Sequence, residues 1–169
     1  FNNDKRNSKL AIFHSIRQQA SHSTDRPNYA LADFIAPLSK SKKIKDYIGG
    51  FALTCGHGEN ELSEKFKKDS DDYNSIMTKA LADRLVEAFA ERMHERVRKE
   101  FWGYAPKENL NNDDLIKEKY SGIRPAHGYP AQPDHTEKGK LFEILEAKKN
   151  INVSLTESFS MSPGASISG

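Results

Sequence analysis

A single cysteine, Cys55, among 169 residues leaves no partner for an intramolecular disulfide. That excludes a disulfide-built secreted scaffold and fits a reducing compartment, with the cytoplasm as the expected location. No apolar run approaches the roughly 20 residues a membrane-spanning helix needs, and the opening FNNDKRNSKL holds no hydrophobic targeting core. Charge of one sign is lacking too. Against 26 Lys and Arg stand 24 Asp and Glu, and a net +2 argues for neither nucleic acid nor a membrane surface. No Gly-rich phosphate loop and no nucleophile elbow occur, and the six histidines show no metal-ligand spacing. Cys55-Gly56-His57 lacks the two further ligands a zinc site requires. What remains is a chain 36% apolar and 30% charged, suited to one domain with a modest core, residues 1–169.

Periodicity sketches the elements. KLAIFHSIRQQA, residues 9–20, mixes helical and strand periods and is read as a helix; YALADFIAP, closed by Pro37, is read as a strand. KSKKIK is a basic, solvated loop, and YIGGFALTC a second strand with Gly49 and Gly50 at a bulge or close contact. ENELSEKFKKD follows as a short helix. From about Asp71 to Trp102 no Gly or Pro interrupts the chain, which predicts a helix roughly 48 Å long. Tyr73, Met77, Leu81, Leu85, Phe89, Met93, Val97 and Phe101 recur every four residues and form its expected core stripe, widened by Ile76, Ala80, Val86 and Ala90. Beyond GYAPKENLNN lie a short helix, NDDLIKEKY, and a loop. An Asp134/Glu137 capping box then opens the helix TEKGKLFEILEAKKN. VSLTESFSM is read as a strand, and Ser166 to Gly169 as the opening of another. Both ends read as cut. The order of elements argues α+β rather than an alternating parallel fold.

Two places can carry chemistry. The loop IRPAHGYPAQPDH, Ile123 to His135, holds three prolines, one glycine, one arginine and one tyrosine. Each proline fixes its own φ and extends the residue before it, so the loop has little freedom to lose on binding. Gly128 permits a positive φ or a close approach, and Ala126 leaves its amide and carbonyl accessible. Arg124 offers a planar fork for a carboxylate or phosphate, and Tyr129 a flat face with a hydroxyl tip. The set suits a small amphiphilic anion with a flat portion. Alternatively the loop only turns the chain between helices, with Arg124 paired to a helix carboxylate, and loop chemistry alone favours this plainer account. On the long helix, Asp83 and Glu87 stand at i, i+4 and His94 seven further on, nearly in one line opposite Leu81, Leu85 and Phe89. Two carboxylates and an imidazole suit a cationic ligand or a metal, although a solvated helix face has the same pattern. Arg92, Arg96, Arg98 and Lys99 alternate with Glu91, Glu95 and Glu100, which speaks against nucleic acid.

Longer segments carry a family resemblance. IRPAHGYPAQPDHTEK resembles the RPAxGYP segment of the C-terminal activation domain of cobalamin-dependent methionine synthase. ALADRLVEAFAERMHERVRKEFWGYAP is similar to that domain's long central helix, and LADFIAP, DYIGGFALT and LTESFSMSPGASISG resemble its other recurring segments, in the family's order. The resemblance implies a partial activation domain: an α+β fold with a long central helix and shorter helices on a twisted antiparallel sheet, incomplete at both ends. It also implies a module of a methyltransferase that makes methionine from methyltetrahydrofolate and homocysteine. Such a module binds S-adenosylmethionine and reactivates the enzyme by reductive methylation of cob(II)alamin held on another module, with a flavodoxin-type or flavoprotein reductase as electron donor. By resemblance, Arg124 holds the ligand's carboxylate, the Ala126 backbone meets its polar groups, Tyr129 lines the site, and Glu87 with Asp83 provides acidic helix positions. No residue is implied as nucleophile or metal ligand, and the fragment alone is not expected to be catalytic. His127 departs from the family's usual second proline. An acidic contact before Phe1 and a tyrosine-bearing strand after Gly169 are absent from this chain. The competing reading is a module that docks on the cobalamin module or a reductase without a competent ligand site.

Overall fold

The computed structural model describes residues 1, 5–21, 27–37, 44 and 46–169. They form two compact units: Phe1–Phe51 with Pro125–Asn150 and Ser168–Gly169, and Ala52–Arg124 with Ile151–Ile167. The architecture is α+β, with helices and small antiparallel strand pairs. Most of the basic run at residues 40–45 lies outside the described residues.

The second unit is organised by two helices. Helix α1 spans Glu59–Lys68 and α2 spans Asp72–Arg96, continued by a π-helical turn over Val97–Phe101. Asp71 starts α2 by accepting from the Asn74 amide at 3.0 Å, which satisfies one of the orphan donors of the first turn. The long helix is therefore where the sequence places it, but of the expected face only the widening residues Val86 and Ala90 are buried, and the main stripe is not. Ser75, Ala82, Val86, Ala90 and His94 are buried, whereas Leu81, Leu85 and Phe89 remain 54%, 60% and 42% exposed. Both lines repeat every four residues and lie one residue, about 100°, apart, so period cannot choose between them. Size does. Small side chains let α1 and β1 (Ala52–Thr54) come close to α2, and the Ser63 and Ser75 hydroxyls meet between the helices at 2.8 Å. Further on, α3 is confined to Asn112–Ile116, opened by a reciprocal Asn111/Asp114 capping box.

The strands are shorter than their sequence patterns. Only Ala52–Thr54 of YIGGFALTC is β1, and it pairs with β4, Ser166–Ser168, the terminal strand expected from alternation. Cys55 donates to the Ala165 carbonyl at 2.9 Å and Thr54 Oγ1 to the same carbonyl at 3.0 Å. VSLTESFSM is not one strand. It folds back on itself: β2, Ser154–Leu155, pairs antiparallel with β3, Met161–Ser162, in the register Ser154 to Ser162 and Leu155 to Met161. The turn is closed by the Phe159 amide on Thr156 and by hydroxyls of Thr156, Ser158 and Ser160, side chains that compete well with a straight ladder.

In the first unit, residues 9–20 are not helical. The segment runs extended, with exposure alternating from Ala11 to Ile16, and it is tied down by side chains: Ser15 to Gln132 at 2.6 Å and Arg17 to Asp33 at 2.5 and 2.8 Å. Nor is YALADFIAP a strand. Asp33 accepts from the Ala30 amide at 2.9 Å and turns Leu31–Phe34 into one 3-10 turn. Asp134 caps the Thr136 amide as expected, and His135–Glu137 leads into α4, Lys138–Ile144, and α5, Ala147–Ile151. The Glu137 carboxylate, however, does not close the box. It takes Lys140 at 2.7 and 2.9 Å and His14 at 3.0 Å. Ala30, Leu141, Phe142 and Ala147 form this unit's apolar core.

Enlarging the fully buried Ala90 to leucine overpacks the contact line of α2 and is expected to cost about 1–3 kcal/mol in urea unfolding. Leu85→Ala, on the exposed line, is expected to stay within about 0.5 kcal/mol. Equal costs would contradict this assignment of the two faces.

Candidate functional site

The loop is stiff for a further reason besides its prolines. The Gly128 amide donates to the Gln132 carbonyl and the Gln132 amide to the Tyr129 carbonyl, both at 2.9 Å, closing a small bridge. Gln132 is buried and holds the His14 carbonyl through Nε2 at 3.2 Å. Gly128 has φ +94, the positive φ expected of this glycine, and a Cβ there would collide with the His135 ring. Tyr129 stands 65% exposed at the tip. The Ala126 carbonyl, expected to be open, accepts from the Tyr129 amide at 3.1 Å. His127 is buried against Phe13, its two ring nitrogens without hydrogen-bond partners.

Arg124 belongs to the second unit, and there it meets a helix carboxylate. Its Nη2 donates to Oε1 of Glu91 in a short ion pair, with Arg124 mostly buried. The pair is only half satisfied: Arg124 Nε and Glu91 Oε2 are both buried and unpartnered. Glu91 stands four residues beyond Glu87 and eight beyond Asp83, so the three carboxylates share one line of α2. Asp83 and Glu87 line an open depression of about 430 Å³ together with Arg84, Gly164, Ser166 and Ile167. His94, expected to extend that acidic line, is instead turned into the protein. Its ring meets Tyr120 edge-on at 4.7 Å, and Arg98 stacks on the other partner of the contact, 4.5 Å from the Tyr120 ring centre. Arg98 is fully buried and grips Glu108 through Nε at 2.8 and 3.1 Å and Nη2 at 2.6 Å. Burial opposes its charge, but Glu108 outweighs that and raises its pKa.

Of the sequence-expected residues, the structure therefore gathers Asp83 and Glu87 at one depression and sets Arg124 on their acidic line. Ala126 and Tyr129 lie in the other unit. Glu91 was missed. In the sequence it counts only as one of the acidic residues alternating with arginines. The signal that finds it is the i+4 step from Glu87, and that step acquires meaning only once Arg124 is seen against it. Among the described residues no group of three or more His, Cys, Asp or Glu can hold a metal, and no helix is long and apolar enough to cross a membrane.

The sequence model of the family described as vitamin B12 dependent methionine synthase, activation domain, matches residues 1–169. The chain is also similar to a solved structure described as the MetH reactivation domain bound to AdoHcy, with 54% sequence identity and a TM-score of 0.91. That match covers 100% of this chain and 51% of the other, so the chain spans about half the length of its relative.

Among the described residues, His94 and His127 are the histidines that burial holds neutral. Burial first, then the positive charges of Arg98 and Arg124, push His94 down to about 4, and burial lowers His127. Both folded pKa values lie below the ordinary value of 6.5, so on acidification the unfolded chain takes up protons first. Stability is expected to be complete above about pH 6.5 and to fall toward pH 4, and the interval from pH 6.5 to 5 precedes most carboxylate titration. Urea unfolding at closely spaced pH values should show that loss, reduced in His94→Gln. A flat wild-type profile would contradict it.

Proposed function

Because the chain belongs to the activation-domain family of vitamin B12 dependent methionine synthase, we propose that it is an S-adenosylmethionine-binding reactivation module of such an enzyme. The observation that carries this reading is the half-satisfied guanidinium of Arg124. It is held by one donor to Glu91, with a buried Nε–H still lacking an acceptor, on the motif loop of a chain matched to the family along its whole length. Arg98 also keeps one bare nitrogen, Nη1, but it takes both oxygens of Glu108, whereas Arg124 leaves one oxygen of Glu91 unmet.

The residues fit the ligand. Arg124 offers its free edge to a carboxylate, and a charge-assisted bond there contributes about 1.5–3 kcal/mol. Asp83 and Glu87 add negative potential along α2, which favours an ammonium and a sulfonium. Tyr129 presents an aromatic face on a loop that loses little entropy on binding, and the Ala126 backbone lies beside it. When bound, S-adenosylmethionine supplies the methyl group for reductive methylation of cobalamin carried by another module, with the electron from a flavodoxin-type or flavoprotein reductase in the cytoplasm. This chain's share is to position and to neutralise charge, and no side chain here acts as nucleophile.

A second reading has two observations in its favour. Arg124 is paired to a helix carboxylate, Glu91, as the plainer account of the loop expects. Leu81, Leu85 and Phe89 leave an apolar line of α2 exposed, which suits a module that docks on the cobalamin module or a reductase. Calorimetric titration separates the two. Saturable binding of S-adenosylmethionine, weakened in Arg124→Ala by about 2 kcal/mol or roughly 30-fold, is expected for a ligand clamp. A folded chain that does not bind would sink ligand binding and leave docking.

A further inference from the structure

The ion pair of Arg124 and Glu91 carries more than one unmet hydrogen bond. Arg124 Nε is a buried donor without an acceptor, and Glu91 Oε2 is a buried acceptor without a donor. These two unmet capacities are of opposite kind and belong to the two members of one pair. The Arg98–Glu108 pair leaves Arg98 Nη1 bare but no carboxylate oxygen, since Nε and Nη2 take both oxygens of Glu108. A buried donor and a buried acceptor left bare together are costly.

From this geometry we propose that Glu91 takes the ammonium of the ligand's amino-acid end, beside the Arg124 to which the proposed function gives the carboxylate. The inference deepens the reading of an S-adenosylmethionine site and rests on it. Charge balance selects the ligand class. The resident pair is neutral and an α-amino acid head is neutral, so one can be added to the other without burying net charge. A phosphate or a simple carboxylate would bring its negative charge against Glu91, and a simple amine would bring its positive charge against Arg124. Only a group that both accepts and donates answers both bare atoms. Glu87 and Asp83, one and two turns back along α2, are then left to the sulfonium and the rest of the ligand instead of the ammonium. Glu91 thereby sets specificity for the amino-acid end.

The test is calorimetric titration of the 169-residue chain with S-adenosylhomocysteine and with its analogue carrying hydrogen in place of the ammonium. In the wild type the deaminated analogue is expected to bind at least tenfold more weakly. Glu91→Gln, which keeps size and one acceptor oxygen, is expected to weaken S-adenosylhomocysteine about tenfold while leaving the deaminated analogue unchanged or tighter. Equal affinity of the two ligands for wild type overturns the inference without any variant. So does a Glu91→Gln chain, folded by circular dichroism, that weakens both ligands alike, in which case Glu91 only steadies Arg124. Tighter binding of S-adenosylhomocysteine by that variant also overturns it and makes Glu91 a competitor of the ligand's carboxylate. If wild type binds neither ligand, the proposed function fails and takes this inference with it. Binding without the ammonium dependence removes the inference alone.

Discussion

Everything in the second unit depends on how closely α2 is approached by its neighbours. Ala82, Val86 and Ala90 make a line with almost no side-chain bulk, and α1 and β1 settle against it. Close packing gains dispersion energy at each contact and tolerates no extra methylene. Because α2 is gripped along that line, its other faces are oriented too. The line one residue earlier is turned outward with Leu81, Leu85 and Phe89, and the acidic line of Asp83, Glu87 and Glu91 is aimed at the place where the Arg124 end of the loop arrives. A helix registered by larger side chains would have delivered different carboxylates.

Two arginines on or against this helix show how the same chemistry serves different ends. Arg98 is sealed from solvent, doubly bonded to Glu108 and stacked on Tyr120, so its charge is neutralised and immobile. Arg124 is mostly buried as well, and each arginine keeps one bare nitrogen, Nη1 of Arg98 and Nε of Arg124. His94 lies between these charges electrostatically and responds to both by staying neutral. A buried pair with unmet bonds is costly, and such a cost is tolerated where a ligand completes the set. The difference between the two pairs lies in the carboxylate: both oxygens of Glu108 are taken, and one of Glu91 is not.

Legibility in the sequence followed the range of the deciding interaction. The limits of α2, the Asp134 turn and the terminal strand were readable because each is settled within a few residues. Residues 9–20 were misread as a helix because their pattern carries both periods. What decides is Gln132, Asp33 and Glu137 taking their side chains, partners up to 123 positions away. YALADFIAP failed for the opposite reason: a local bond from Ala30 to Asp33 overrides β-propensity. The loop's importance was visible from its stiffness, its arginine and its resemblance to a family motif. Its ion-pair partner was not.

By itself, then, the sequence determined the extent of α2, the Asp134 turn, that the fold is α+β, and which loop repays attention, since caps, prolines and glycines act on their immediate neighbours. Only the tertiary structure decided which of several parallel lines on α2 is buried and which carboxylate faces Arg124, a residue 33 positions away. A helix repeats every line with the same period. The choice among them is made by the shape of what packs against it, and that shape is assembled from distant segments.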